Sequence, residues 1–233
     1  MDNSRTVASA GVSVASIFMR QVYQWMTVGL GITAATAWFV AGSEAARAAI
    51  FGSTFVLIAL IVAQFGLVIA LSAAVQRMSA ATATGLFLLY SALTGVTLSS
   101  IFIVYPIGSI TNAFVVTAGT FLAMSVYGTV TKRDLTAMGS FLMMGLFGII
   151  IAMIVNIFLK SSMMDFVISC LGVLIFTGLT AYDTQKIKEF GANAPLDDST
   201  AVRRGVILGS LTLSLDFINL FLMMLRLFGG NRD

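Results

Sequence analysis

Residues 205–226 read GVILGSLTLSLDFINLFLMMLR, an apolar run that contains one acidic residue, Asp216, in its middle. About 20 apolar residues are enough for a helix to cross the hydrocarbon core of a bilayer. A carboxylate at the centre of such a helix costs roughly 2.5–3.5 kcal/mol on insertion scales, so it usually pairs, lines a polar path or binds a cation. This stretch therefore predicts a transmembrane helix with a functional acid inside it.

Similar apolar runs recur along nearly the whole chain. Of its 233 residues, 58% are hydrophobic and 10% are charged, whereas soluble domains have about 25% charged residues. Lipid cannot satisfy exposed backbone groups, and the runs do not alternate apolar and polar residues as barrel strands do, so helices are expected. The sequence predicts an all-α, polytopic membrane protein with seven transmembrane helices, at residues 22–42, 50–72, 80–104, 107–130, 137–159, 165–185 and 205–226.

The segments outside these spans are short, with two exceptions. Residues 1–21 are too weakly hydrophobic for a signal-peptide core, and they predict a cytoplasmic N-terminal tail. Residues 185–204 are polar and contain Pro195, which predicts a solvent-exposed loop. Residues 22–233 then form a single seven-helix transmembrane domain.

The basic residues predict the orientation in the membrane, because cytoplasmic loops retain an excess of Lys and Arg. When the loops are assigned to alternate sides of the seven spans, one side has nine basic residues and the other has four. The N-terminus is therefore predicted to be cytoplasmic and the C-terminus outside. The first side holds Arg5, Arg20, Arg77, Lys132, Arg133, Lys186, Lys188, Arg203 and Arg204, and the second holds Arg47, Lys160, Arg226 and Arg232.

Several classes of function are disfavoured by the composition. The chain has no histidine and a single cysteine, Cys170, so neither a disulfide nor a Cys–His nucleophile is available, and a transition-metal site lacks its usual ligands. The basic residues are too scattered to form a nucleic-acid surface. We therefore expect no catalytic residues, no cofactor and no nucleic-acid partner, and the protein is not expected to be an enzyme.

A second acid, Asp183, lies near the end of the sixth span, and the chain has only ten acidic residues. Two carboxylates held close together at low dielectric would share a proton, and without histidine such a pair must carry any response to pH. Thr180 and Asn219 lie on the same helix faces as the two acids. An ordinary explanation also stays open: Asp183 pairs with Lys186 or Arg77 at the interface, and Asp216 makes a structural hydrogen bond.

The depths of the two acids conflict with a direct pair. Counted from the flanking basic residues, Asp183 lies about 4–5 Å below the cytoplasmic boundary and Asp216 about 18 Å below it. Either the seventh helix starts deeper, with Arg203 and Arg204 in the loop, or the sixth helix continues past Lys186 and beyond the membrane.

Four segments carry a family resemblance: MRQVYQWMTVGL (residues 19–30), TVTKRDL (129–135), TAYDTQKIK (180–188) and LDFINLF (215–221). With seven spans and an acid in each of the last two, the chain resembles a bacterial member of the Bax inhibitor-1 family, also called the transmembrane Bax inhibitor motif family. The resemblance covers most of the chain.

The resemblance implies a pH-sensitive calcium leak channel or transporter in the bacterial inner membrane. Asp183 and Asp216 would form its di-aspartyl sensor and gate and would bind calcium weakly, and Arg77 would pair with Asp183 in the closed state. Thr180 and Asn219 would support the acids. The implied partners are calcium ions, protons and the lipid bilayer.

Two alternatives differ in class from a channel. The resemblance also allows a membrane-embedded regulator that binds other membrane proteins, either by protease inhibition or by suppression of stress or cell death. An intramembrane aspartyl enzyme would use two carboxylates to activate water, but neither acid lies in a Gly-rich catalytic context.

Overall fold

A computed structural model describes the backbone of residues 3–195 and 198–229, and the side chains of residues 14–195 and 198–229. Over these residues the chain is helical, with short turns and no strand. The helices, in chain order, are α1 (Asn3–Gly42), α2 (Glu44–Phe51), α3 (Thr54–Ala74), α4 (Ala80–Leu98), α5 (Ile101–Val104), α6 (Ile107–Val130), α7 (Thr136–Leu159), α8 (Ser162–Ala192) and α9 (Ser199–Phe228).

The predicted fold class, an all-α polytopic membrane protein, is confirmed. Within the described residues, seven helical stretches are long and apolar enough to cross a membrane. The second includes a 3-10 turn after α3, and the third combines α4 with the short α5. These stretches are Val14–Gly42, Thr54–Arg77, Ala80–Val104, Ile107–Val130, Thr136–Leu159, Ser162–Ala192 and Ser199–Phe228.

The solvent-exposed loop predicted for residues 185–204 is wrong over most of its length. α8 continues to Ala192 and α9 begins at Ser199, so only a short connection separates them. The prediction took Lys186 and its polar neighbours as the end of a helix. In the structure Ile187 and Gly191 face inward one turn apart, whereas Lys186 is exposed, so the helix continues with two different faces.

The segment predicted as a cytoplasmic tail is helical from Asn3 onward, as part of α1. The first span therefore begins before residue 22, and its side chains are buried at Ala15, Phe18 and Met19. The cytoplasmic position of residues 1–21 stays a prediction. Two basic residues of the charge count, Arg5 and Arg232, lie outside the residues whose side chains are described.

The chain forms two compact units that share the last two long helices. The first unit comprises Met1–Val104 and Ile187–Ser214, and the second comprises Tyr105–Lys186 and Leu215–Asp233. Both aspartates of interest belong to the second unit.

In the first unit, α1 and α4 touch through backbone atoms. A Cβ atom built on Gly95 would lie 2.4 Å from the carbonyl oxygen of Thr33, which leaves room for glycine only. The Thr33 hydroxyl donates a hydrogen bond to the carbonyl of Ser91 (2.9 Å), and the Ser210 hydroxyl of α9 donates one to the carbonyl of Val22 (2.9 Å). These bonds join α1 to its neighbours on two sides.

In the second unit, α8 packs against α6, α7 and α9 through small residues. A Cβ atom on Gly128 of α6 would lie 2.3 Å from the carbonyl oxygen of Ala181. On α7, Gly139 lies against the ring of Tyr182, and on α8 itself Gly172 lies against Met223 of α9. Small residues allow membrane helices to approach closely, so α8 is fixed on three sides.

Candidate functional site: a buried pair of aspartates

Asp183 of α8 and Asp216 of α9 belong to the second unit, and their carboxyl groups lie close enough to interact directly. Asp216 is only 5% exposed, and Asp183 is half-buried. An ionised carboxylate only accepts hydrogen bonds, so a bond between two carboxyl groups requires a proton on one of them. Two carboxyl groups this close are therefore expected to share one proton.

The depths counted from the basic residues do not apply, because those residues do not mark the ends of the helices. α8 continues past Lys186 for about 9 Å to its end at Ala192, so Lys186 does not mark the helix end. Arg203 and Arg204 lie within α9 rather than in a loop. The sixth helix thus continues past Lys186, as one of the two explanations requires, and its extension beyond the membrane stays a prediction.

An aromatic cluster contains the residue that follows Asp216 in the chain. Phe217, which follows Asp216, packs edge-on against Phe121 (5.4 Å between ring centroids) and against Phe114 (5.7 Å) of α6. Such rings exclude water and leave a carboxyl group in a low-dielectric environment. A second negative charge beside the first is then costly.

The two carboxyl groups differ in their surroundings. Asp183 is half-buried and has the ammonium group of Lys186 as a charged neighbour one turn along α8. The Lys186 ammonium lies 5.7 Å from the centroid of the Tyr182 ring. The two carboxyl groups of the pair are therefore not equivalent: Asp183 lies nearer to solvent and to a positive charge, and Asp216 is enclosed.

Several polar atoms in this unit are buried without a hydrogen-bond partner among the described residues. One of them is Oδ2 of Asp216, and the others include hydroxyl oxygens on α6 and α8. An unsatisfied buried polar atom costs about 1–3 kcal/mol, and such atoms normally bind water or an ion. These atoms are therefore the candidates in this unit for binding water or a cation. These hydroxyls belong to Thr117, Ser125, Thr177 and Thr184.

The residues predicted to support the pair use their donors elsewhere. The Thr180 hydroxyl donates to the carbonyl of Phe176 (2.8 Å), and the Asn219 amide donates to the carbonyl of Leu215 (2.9 Å). Both bonds stay within one helix turn. Arg77 ends the 3-10 turn of the first unit, and its pairing with Asp183 stays a prediction.

The pair offers few ligands for a metal ion. Among the described residues, no group of three or more His, Cys, Asp or Glu side chains is arranged to hold one. Calcium takes about 6–8 oxygen ligands, so two carboxyl groups would need hydroxyls and water to complete a site. Any calcium bound at Asp183 and Asp216 is therefore weakly held.

Gln185 has a role that the sequence analysis missed. Its side-chain amide donates to the carbonyl of Arg133 (2.8 Å), and its oxygen accepts from the backbone N–H of Leu135 (2.9 Å). It thus fixes the α6–α7 turn against α8, half a turn after Asp183. Gln185 lies in one of the segments that carry the family resemblance and Arg133 in another, which is the signal that could have joined them.

The same turn contains Asp134, which lies outside the membrane-spanning stretches. Its carboxylate accepts a hydrogen bond from the backbone N–H of Thr136 (2.8 Å) at the start of α7. Hydrogen bonds from Thr136 hold the pKa of Asp134 below its usual value. Asp134 thus stays ionised and stabilises the turn that precedes α7.

Gln185→Leu is expected to lower the free energy of unfolding by about 1–3 kcal/mol, because it leaves the Leu135 N–H and the Arg133 carbonyl without their partner. Thermal unfolding in detergent, followed by size-exclusion chromatography, measures the loss. The control is Gln76→Leu, at an exposed glutamine in the 3-10 turn of the first unit. Equal losses in both variants would contradict a specific role for Gln185.

Comparison with known proteins gives consistent matches over most of the chain. The family described as Inhibitor of apoptosis-promoting Bax1 matches residues 15–233. The inner membrane protein YbhL of Escherichia coli (strain K12) is 55% identical over 215 residues, which cover 92% of each chain. An uncharacterized protein of Borreliella burgdorferi is 52% identical over 95% of each chain, and one of Deinococcus radiodurans is 42% identical over 93% of this chain and 91% of its own.

Proposed function

This chain belongs to the Bax inhibitor-1 family, and on that premise we propose that it is a pH-sensitive calcium leak channel gated by Asp183 and Asp216. The observation that carries the proposal is the close approach of the carboxyl groups of Asp183 and Asp216, of which Asp216 is buried and Asp183 half-buried. The protein is a multi-pass bacterial membrane protein, and its N-terminus is proposed to face the cytoplasm because the basic residues are distributed nine against four.

The paired arrangement represents the closed gate. While one proton is shared, the pair carries a single negative charge and the two helices stay together. When the proton leaves, two unit charges about 4 Å apart repel each other by about 4 kcal/mol at an effective dielectric constant near 20. A hydrogen bond contributes about 0.5–1.5 kcal/mol net, or about 1.5–3 kcal/mol when one partner is charged. Repulsion therefore exceeds the bond, and the carboxylates separate.

Separation also creates the ion path in this scheme. Two free carboxylates attract a divalent cation, and the unpartnered hydroxyls of α6 and α8 supply further oxygen ligands. A weak, partly hydrated site suits conduction, because the ion must leave as readily as it enters. The residues act as ligands and gate, and the proposal includes no enzymatic step.

We expect calcium flux through the purified protein to rise between pH 6 and pH 8, as the shared proton is lost. Liposomes loaded with a calcium-sensitive dye that does not itself respond to pH over this range measure the flux. Empty liposomes and liposomes with heat-denatured protein are the controls. A flux no greater than in empty liposomes at either pH would refute the channel function.

A second candidate function is regulation of other membrane proteins, and the family description, which names inhibition of Bax1, favours it. The segment that binds the partner protein would in that case be the N-terminal one, residues 1–13. Deletion of this segment should then remove the cellular effect while the calcium flux in liposomes persists. Loss of both together would argue against a separate regulatory role.

A further inference from the structure

The first unit contains an open groove of about 920 Å³ between α1, α4 and the first turns of α9. Ile17 and Gln21 line it from α1, one turn apart, and Ala81 and Gly85 line it from α4, also one turn apart. Thr200 and Arg203 contribute from α9. Its volume lies within the range of about 300–1,000 Å³ that is usual for small-ligand sites.

The groove follows from how α1 and α4 cross. The two helices touch where Gly95 meets the backbone of Thr33. From Gly95 to Gly85 is about 15 Å along α4, and from Thr33 to Gln21 is about 18 Å along α1. The small residues at that end of α4 do not fill the space, and a Cβ atom built on Gly85 would meet nothing within 4 Å.

A single cation lies among the groove's lining residues. Arg203 stacks on the ring of Trp25, with its guanidinium carbon 4.3 Å from the ring centroid. Stacking fixes the plane of the guanidinium but uses none of its five N–H donors. Those donors remain suited to a planar or phosphate anion.

Three further arginines lie close in sequence to residues that line the groove. Arg20 precedes Gln21 on α1 and is exposed, Arg77 lies three residues before Ala80, and Arg204 follows Arg203. The nearby acid, Asp198, accepts hydrogen bonds from the backbone N–H groups of Thr200 and Ala201 (both 2.9 Å), so it caps α9. Arg203 is therefore the charged side chain that the described lining of the groove offers to an anion.

We propose that this groove binds an anionic phospholipid of the leaflet at which α9 begins, with the phosphate on Arg203 and an acyl chain along α1 and α4. An apolar groove within a helix bundle, with basic residues at its end, is the arrangement that recognises anionic headgroups. Attraction of anionic lipid to such a surface is roughly fivefold per basic residue. This site is separate from the aspartate pair and does not depend on the calcium proposal.

The fluorescence of Trp25 can detect a lipid in the groove, because its ring stacks with Arg203, which lines the groove. The chain has two tryptophans, and Trp38→Phe leaves Trp25 as the only one. This variant is placed in phosphatidylcholine nanodiscs that contain an equal mole fraction of chain-brominated phosphatidylglycerol or chain-brominated phosphatidylcholine. Bromine quenches nearby tryptophan, and we expect the brominated phosphatidylglycerol to quench Trp25 at least about twice as strongly.

Substitutions at two positions separate the effect of charge from the effect of space. Arg203→Gln should make the quenching by the two lipids equal, and Arg203→Lys should keep the preference for the anionic lipid. Gly85→Leu should reduce quenching by both lipids, because Gly85 lines the groove and a Cβ atom there meets nothing within 4 Å, so the larger side chain takes up groove space. The matched control is Gly66→Leu on α3, where a Cβ atom also meets nothing within 4 Å and which does not line the groove.

Equal quenching by both lipids in the parent protein would overturn the proposal, as would a preference that survives Arg203→Gln. Quenching that Gly85→Leu leaves unchanged would place the lipid outside the groove and overturn it as well. If Gly85→Leu fails to fold, the comparison of Arg203→Gln with Arg203→Lys decides alone.

Discussion

Asp216→Asn is expected to abolish the rise in calcium flux between pH 6 and pH 8, so that the flux at pH 8 falls by about tenfold to the level at pH 6. An asparagine amide donates a hydrogen bond to the Asp183 carboxylate at any pH in this range. The variant therefore keeps the paired geometry but has no proton to lose. A tenfold change corresponds to about 1.4 kcal/mol, well within the repulsion of about 4 kcal/mol between two charges at contact distance.

The matched control is Glu189→Gln, which removes one negative charge from an exposed position on α8 beyond Asp183. This control should retain the pH response. Asp183→Asn should behave like Asp216→Asn, because either amide can donate to the remaining carboxylate. A pH response that persists in both aspartate variants would show that other groups gate the flux, and a response lost in Glu189→Gln would point to surface charge.

The sequence predicts the ends of the helices best where a helix-breaking residue separates two apolar runs. The third and fourth spans, 80–104 and 107–130, agree with the structure at both ends, because Tyr105 and Pro106 interrupt two continuous apolar runs. The sixth and seventh spans were drawn too short. Polar residues after Asp183 end the apolar run but not the helix, and the inward-facing Ile187 and Gly191 show why.

The two acids could be singled out from the sequence, but their contact could not. An acidic residue within an apolar run can be read directly from the sequence. The contact between Asp183 and Asp216 depends instead on how α8 and α9 pack. That packing rests on close approaches such as Gly172 against Met223, which no periodicity reveals. The donors of Thr180 and Asn219 illustrate the same limit, since a shared helix face did not predict that each bonds its own helix.

The packing of α6 against α8 provides the second large expected effect, and Gly128→Leu is expected to destabilise the protein by at least about 3 kcal/mol. A Cβ atom on Gly128 would lie 2.3 Å from the carbonyl oxygen of Ala181 and 3.1 Å from its Cα. Both contacts are with backbone atoms, so no side chain can rotate to make room. Overpacking that forces a helix to shift costs typically about 1–3 kcal/mol and occasionally more.

The midpoint of thermal unfolding in detergent measures this effect, and Gly119→Leu on the same helix is the control. A Cβ atom on Gly119 meets nothing within 4 Å, and replacing a helix-interior glycine by leucine favours the helix by several tenths of a kcal/mol. The control should therefore be neutral or slightly stabilising. Equal behaviour of the two variants would mean that α6 and α8 do not make this contact.

A milder change at the same position links packing to the gate. Gly128→Ala adds only the Cβ atom, so α6 and α8 must separate by a small distance at Ala181, two residues before Asp183. Displacement of α8 there weakens the hydrogen bond between the two carboxyl groups, which favours the separated state. We expect this variant to fold and to conduct more calcium at pH 6 than the parent protein, whereas Gly119→Ala should not. An unchanged flux at pH 6 in a folded Gly128→Ala variant would show that the position of α8 does not control the pair.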